Sequence, residues 1–112
     1  MPPIATLKKR ADFLRLNRGR KFMTAYFILR YAPSAAQTVR VGYTVTTKCG
    51  NAVVRNRIRR RLRALVAEIA PEGAVAGTDY VFIARADAKP SAGEVAYPLL
   101  RAAVADAFAR AR

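Results

Sequence analysis

Nine residues of this chain, Arg55-Asn56-Arg57-Ile58-Arg59-Arg60-Arg61-Leu62-Arg63, include six arginines. Arginine presents a planar fork of N–H donors that can hold two oxygens of one phosphate at once. The chemistry such a run can do is to bind a polyanion. At about 100° per residue, Ile58, Leu62, Leu65 and Ile69 fall on one helical stripe. Asn56, Arg59, Arg60 and Arg63 fall on the opposite side, Arg57 on its shoulder, and Arg55 and Arg61 beside the apolar stripe. Five like-charged pairs at i,i+3 or i,i+4 cost a bare helix on the order of 1–2.5 kcal/mol. No carboxylate lies near before Glu68, so relief is expected from outside the chain. A solvated basic face with no particular ligand is the plain alternative, and six arginines alternating with apolar anchors argue against it.

Catalysis by the chain itself finds no support. There is no histidine, and Cys49 is the sole cysteine. That excludes an internal disulfide, a Cys/His zinc site and any His-dependent triad. The carboxylates form no evident pair. No catalytic and no metal-binding residues are expected.

Charge distribution points the same way. The formal net charge is +14, far beyond what solubility needs, and a small domain with that excess usually holds nucleic acid. Residues 13–67 hold 13 basic side chains and no carboxylate, whereas residues 68–112 hold five basic and six acidic ones. The charge belongs to one part of the chain, and that part is rich in apolar residues, so it is mounted on a fold. No apolar run reaches the 18 residues of a membrane span. Met1–Arg10 has no apolar stretch suited to a signal peptide, so a cytoplasmic location is expected.

The elements that must position the arginines follow from periodicity. Lys8–Asn17 reads as a short helix with Leu7, Phe13, Leu14 and Leu16 as apolar points. Phe22–Tyr31 reads as strand, either continuous or as two short strands kinked near Thr24-Ala25. Along it Tyr26, Ile28 and Arg30 share one face and Phe27 and Leu29 the other. Thr38–Thr47 alternates, with Val39, Val41, Tyr43 and Val45 toward the core and Arg40, Gly42, Thr44 and Thr46 away from it. A turn at Lys48–Asn51 leads into a helix over Ala52–Ile69, ended by Ala70-Pro71-Glu72-Gly73. Asn51 is a candidate N-cap, and free amides there can accept a phosphate. Gly77–Arg85 reads as a strand and Tyr97–Arg110 as a helix with Pro98 in its first turn. The fold class is one α+β domain over residues 1–112, a mainly antiparallel sheet carrying helices. Ile28, Arg30, Thr44 and Thr46 are expected to line a groove, and Phe13 to stack on an unpaired base or pack in the core. Phe22 suits the core, and Cys49 a turn or buried position without redox work.

With those residues in view, the sequence resembles the protein subunits of bacterial ribonuclease P. The segment Arg40–Arg63, RVGYTVTTKCGNAVVRNRIRRRLR, carries the likeness, above all its Gly-Asn turn followed by Arg-Asn-Arg and spaced basic residues. Leu7-Lys8-Lys9 with Asp12-Phe13, and Asp79–Arg85, resemble other stretches of the family. The resemblance implies an α-β sandwich of order αβββαβα with a left-handed βαβ crossover, similar to ribosomal protein S5 domain 2. It implies a ribonucleoprotein whose catalytic RNA, with Mg2+ bound by that RNA, removes the 5′ leader of precursor tRNA. The protein's partners would be the catalytic RNA and precursor tRNA, with no membrane and no obligate protein partner. Carried over by position, Arg55, Asn56, Arg57, Arg59, Arg60 and Arg63 match the basic motif, with Lys48, Lys9 and Arg10 joining the RNA-binding set. Phe13 matches a leader-groove aromatic. Relatives carry a second phenylalanine one turn later, where this chain has Leu16-Asn17, and a groove tyrosine where it has Arg30. A structural binder of ribosomal RNA is the alternative reading, and a major-groove DNA module a third.

Overall fold

Strands form where apolar residues alternate, and a computed structural model, which describes residues 4–112, shows how they pair. The elements are β1 (Ala5–Thr6), α1 (Arg10–Leu16), β2 (Arg20–Met23), β3 (Phe27–Pro33), β4 (Arg40–Thr44), α2 (Ala52–Gly73), β5 (Thr78–Ala84) and α3 (Tyr97–Arg110). The five strands make one sheet of order β1-β4-β5-β3-β2. The long β3–β5 ladder and the β2–β3 hairpin are antiparallel. β4 lies parallel to β5, and β1 parallel to β4. β4, α2 and β5 thus form a βαβ crossover unit.

Period-two patterning sorts the two faces. Phe27, Leu29, Val39, Val41, Tyr80 and Phe82 are buried beneath α2 and α3. The Phe108 ring meets Tyr80 and Phe82 edge-on, at 5.1 and 5.6 Å between centroids. On the opposite face α1 covers a second, smaller cluster: Leu7, Leu16 and Val81 are buried, with Phe13, Ala32 and Ile83 packed against them. The sheet is therefore the middle of three layers.

Several expectations need correction. The kink at Thr24-Ala25 is a chain reversal. The Thr24 hydroxyl accepts from the amides of Tyr26 and Phe27 at 3.2 and 3.0 Å, closing the β2–β3 hairpin. The first helix is shorter than Lys8–Asn17, and Leu14 is 52% exposed rather than an anchor. β4 ends at Thr44, because a 3-10 turn at Thr47–Cys49 redirects the chain toward α2. α2 runs through Pro71 to Gly73. Proline removes one hydrogen bond to the residue four before it, here the exposed Ala67, and the last turn tolerates that loss. Four turns along, the buried stripe passes to Val66 and Ala70, leaving Ile69 half-buried. β1 was not anticipated. The opening residues weighed above for a targeting stretch include Met1–Pro3, which lie outside the described residues.

Candidate RNA interface

The arginine helix starts at a built corner. Gly50 has φ of 140°, in the region that favours glycine. A Cβ there would also sit 3.0 Å from the Val54 side chain. Asn51 then caps α2, its side chain accepting from the Val54 amide at 3.0 Å. Ile58, Leu62 and Leu65 are buried, as the wheel requires, so the arginines are aimed by the core.

Among the described residues no carboxylate lies within ion-pair distance of Arg55, Arg57, Arg59, Arg60, Arg61 or Arg63. Relief is nevertheless partly internal, which corrects the expectation. Arg55 Nε donates to the Gly50 carbonyl at 3.2 Å, and Arg57 Nε to that of Gly93 at 2.6 Å. Arg61 donates to the carbonyls of Ala92 and Val95, both at 2.7 Å, and its guanidinium lies 5.4 Å from the Tyr97 ring. Burial, then the neighbouring charge of Arg57, lowers the Arg61 pKa from its ordinary value. Arg59 reaches the Val45 carbonyl at 3.3 Å and Asn56 Oδ1 at 3.4 Å. Arg63 stands 5.6 Å from the Tyr43 ring. Burial pushes the Tyr43 phenol up to about 12 against the opposing pull of Arg63, so the ring stays neutral as a platform for the cation. Arg60 is exposed and has no hydrogen-bond or ion-pair partner among the described residues.

A second surface continues from the first. β1 pairs with Arg40 and Val41, so among the described residues that edge of β4 has no strand neighbour beyond Val41. Arg59 and Arg63 flank this free edge from the α2 side. Across it lies the face of the sheet that α1 leaves open. Thr44, Ile83, Ile28 and Met23 are in register across β4, β5, β3 and β2. All four are at least partly exposed. Phe13 walls this row. Its ring lies on Gly42, where an added Cβ would come within 2.7 Å of Cζ. Arg30, on the neighbouring row beside Lys21, turns one arm to the Gly19 carbonyl at 3.2 Å.

The structure therefore brings Phe13, Ile28, Arg30 and Thr44 together. Thr46 stands apart, exposed beyond the end of β4 at the N-cap of the 3-10 turn. Lys48 is exposed in that turn, and Lys9 and Arg10 are exposed at the start of α1. Sequence reasoning missed Ile83 and Met23. Ile83 alternates with the buried Phe82, and that period was the available signal. Leu16, which the resemblance singled out as a departure from the family pattern, is fully buried between α1 and the sheet. Leucine there fills the contact beneath α1, and Phe13 is left as the aromatic of the groove.

Known proteins resemble this chain in sequence and in fold. The family model described as Ribonuclease P matches residues 1–112. The ribonuclease P protein component of Erythrobacter litoralis is 47% identical over 81 residues, 72% of this chain and 67% of that protein. That of Paramagnetospirillum magneticum is 52% identical over 85 residues, 70% of this chain and 64% of that protein. The chain thus matches about two thirds of the length of these relatives. The Staphylococcus aureus RNase P protein superposes with a TM-score of 0.80 at 27% identity, over 96% of this chain and 94% of that one. A ribosomal role is not favoured by any of these likenesses. On the agreement of whole-length family match, near-half identity and shared architecture, the chain belongs to the ribonuclease P protein family.

Proposed function

We infer that the chain, as the protein component of the tRNA 5′-processing endoribonuclease, works as one RNA-binding domain with two joined surfaces. The exposed side of α2, with Asn56, Arg57, Arg59, Arg60 and Arg63 and helped by Arg55 and Lys48, grips the phosphates of the catalytic RNA. The groove of Phe13, Ile28, Thr44 and Ile83, rimmed by Arg30, Lys9 and Arg10, receives the single-stranded 5′ leader of precursor tRNA. Unpaired bases suit it because an open sheet face accepts flat rings without reading a duplex. Thr46 lies where a strand leaving the groove toward Lys48 passes.

The observation that carries this reading is the arginine face of α2, with no carboxylate within ion-pair distance among the described residues, continuous around a free strand edge with a partly apolar groove. Phosphates complete what the fold leaves unpaired. Chemistry belongs to the RNA partner. Mg2+ is assigned to the RNA, whose phosphates suit it; among the described residues no three His, Cys, Asp or Glu side chains form a group that could hold a metal ion. The protein supplies affinity and placement. No helix among the described residues is long and apolar enough to cross a membrane, and a cytoplasmic ribonucleoprotein is the setting proposed.

Reconstitution tests it. The chain is mixed with the catalytic RNA of a related bacterium at low Mg2+, and precursor tRNA cleavage is followed. Stimulated cleavage at the mature 5′ end is expected. Unchanged cleavage, together with tight binding to ribosomal RNA or duplex DNA, would overturn the reading.

A further inference from the structure

The one fully buried charged side chain among the described residues, Asp79, lies outside both proposed surfaces. It sits on β5, and three elements meet at its carboxylate. Arg40 of β4 donates from Nε to Oδ1 at 2.8 Å and from Nη2 to Oδ2 at 2.6 Å. Arg15 of α1 donates from Nη2 to the same Oδ2, and from Nη1 to the Pro33 carbonyl at 3.0 Å. Asp12 of α1 lies 3.6 Å from Arg15 and 3.7 Å from Arg40. Two arginines and two aspartates thus close a neutral cluster between α1 and the sheet.

α1 needs such a hold. It has seven residues and no side-chain N-cap, and a helix that short is marginal without tertiary contacts. Its apolar contacts come from Leu16 and Phe13, and Phe13 is half-buried. The adjacent residue, Asp12, and the residue two further on, Arg15, carry the polar hold. Moving α1 therefore moves the ring that walls the groove.

We propose that Asp79 is a positioning residue for the leader groove: acting through Arg15, it fixes α1, and with it Phe13, at the separation from the sheet that admits a single RNA strand. The inference rests on the groove being the leader site. Arg15 is the link that can be cut separately, because Asp79 keeps both bonds from Arg40 when Arg15 is changed.

The experiment uses the reconstituted holoenzyme and two precursor tRNAs, one with a leader of several nucleotides and one with a single-nucleotide leader. Asp79→Asn and Arg15→Gln are each expected to raise KM for the long-leader substrate about tenfold, with kcat and the short-leader KM near the parent's. Arg15→Lys is expected to recover part of that loss. Should Asp79→Asn fail to fold, Arg15→Gln, whose parent side chain is 40% exposed, carries the test alone. Equal losses on both substrates, or a parental ratio in Arg15→Gln, overturn the inference. Phe13→Ala separates it from the reading beneath it. If Phe13→Ala abolishes leader discrimination while Arg15→Gln does not, the groove stands and the positioning role falls. If Phe13→Ala also leaves discrimination intact, both fall.

Discussion

Two groups of arginines in this chain have opposite fates. At the α1 end of the sheet, Arg15 and Arg40 close on the buried Asp79, and Asp12 balances the remaining charge. On α2, six arginines share backbone carbonyls, two phenol rings and solvent, with no carboxylate in reach among the described residues. The first group is spent inside the fold. The second, Arg61 apart, keeps its positive charge facing outward and leaves a partner to neutralise it. Composition counts both groups alike; geometry alone separates a structural guanidinium from one available for phosphate.

The largest expected effect breaks the closed group. Asp79→Ala leaves two guanidiniums against a buried vacancy, and removing one partner of a buried pair costs about 3–5 kcal/mol. Urea unfolding with an unchanged m-value would measure it. Acid acts on the same bond. Burial alone would raise the Asp79 pKa, but hydrogen bonds from Arg40 and Arg15 and their charges bring it below the usual carboxylate range. The carboxylate therefore contributes its full stability above the unfolded pKa of about 3.9 and loses it as pH falls through the lower, folded value. Unfolding free energy followed downward from pH 6 should decline mainly below about pH 4. In Asp79→Asn that part of the decline should vanish.

Adjacent residues then sharpen the contrast. Arg61 and Arg60 are neighbours, yet Arg61 ties α2 to the Ala92–Val95 loop and the Arg60 side chain has no partner among the described residues. Arg61→Ala should lower stability by about 1.5–3 kcal/mol, the range for hydrogen bonds from a charged donor. Its RNA salt dependence should stay near the parent's. Arg60→Ala should do the reverse. Stability stays within about 0.5 kcal/mol, while the slope of log affinity against log salt falls by about 0.7–0.9 for the lost phosphate contact. Thermal melts and salt titrations on both variants form the cross-check. If Arg60→Ala melts early and binds normally, the division of the arginines is wrong.

How much of this was legible in the sequence depends on the range of the interaction. The inward stripe of α2 was readable because Ile58, Leu62 and Leu65 repeat at helical spacing and nothing else could bury them. β4 was readable as far as Val45 because its valines alternate. Its end was not, since Thr44 and Thr46 look alike and the 3-10 turn at Thr47–Cys49 decides between them. β1 has two residues and no pattern of its own; it exists because β4 offers an edge. The Asp79–Arg15 bond spans 64 positions, and no periodicity announces a pair that far apart. Arg61 was separated from Arg60 by helical phase alone, and the wheel placed it beside the apolar stripe. What the wheel could not supply was the loop whose carbonyls Arg61 would find. On the groove side, alternation put Ile28 and Arg30 on one face correctly, but which of them α1 would cover depended on where that short helix docks.

The smallest expected effect probes that docking. The Phe13 ring comes this close to Gly42 only because glycine has no side chain, and a Cβ would meet Cζ at 2.7 Å and Cε1 at 2.9 Å. Gly42→Ala therefore forces a movement. The tightest obstacle is the far end of a half-buried side chain that can lift, but the Cβ of the buried Leu7, 3.1 Å away, must also give by a few tenths of an ångström, so the cost to stability should be about 1 kcal/mol. The backbone of β4 is unaffected, the α2 face is on the other side of the sheet, and binding of the catalytic RNA should match the parent's. Only the groove changes shape. Leader-dependent binding should weaken a few-fold, less than in Phe13→Ala, because the ring is displaced rather than removed. Competition binding of leader oligonucleotides to the holoenzyme would rank the two. A Gly42→Ala protein that binds leader as the parent does would show that the ring's position on β4 is indifferent, and the groove would then owe its affinity to the charged rim of Arg30, Lys9 and Arg10.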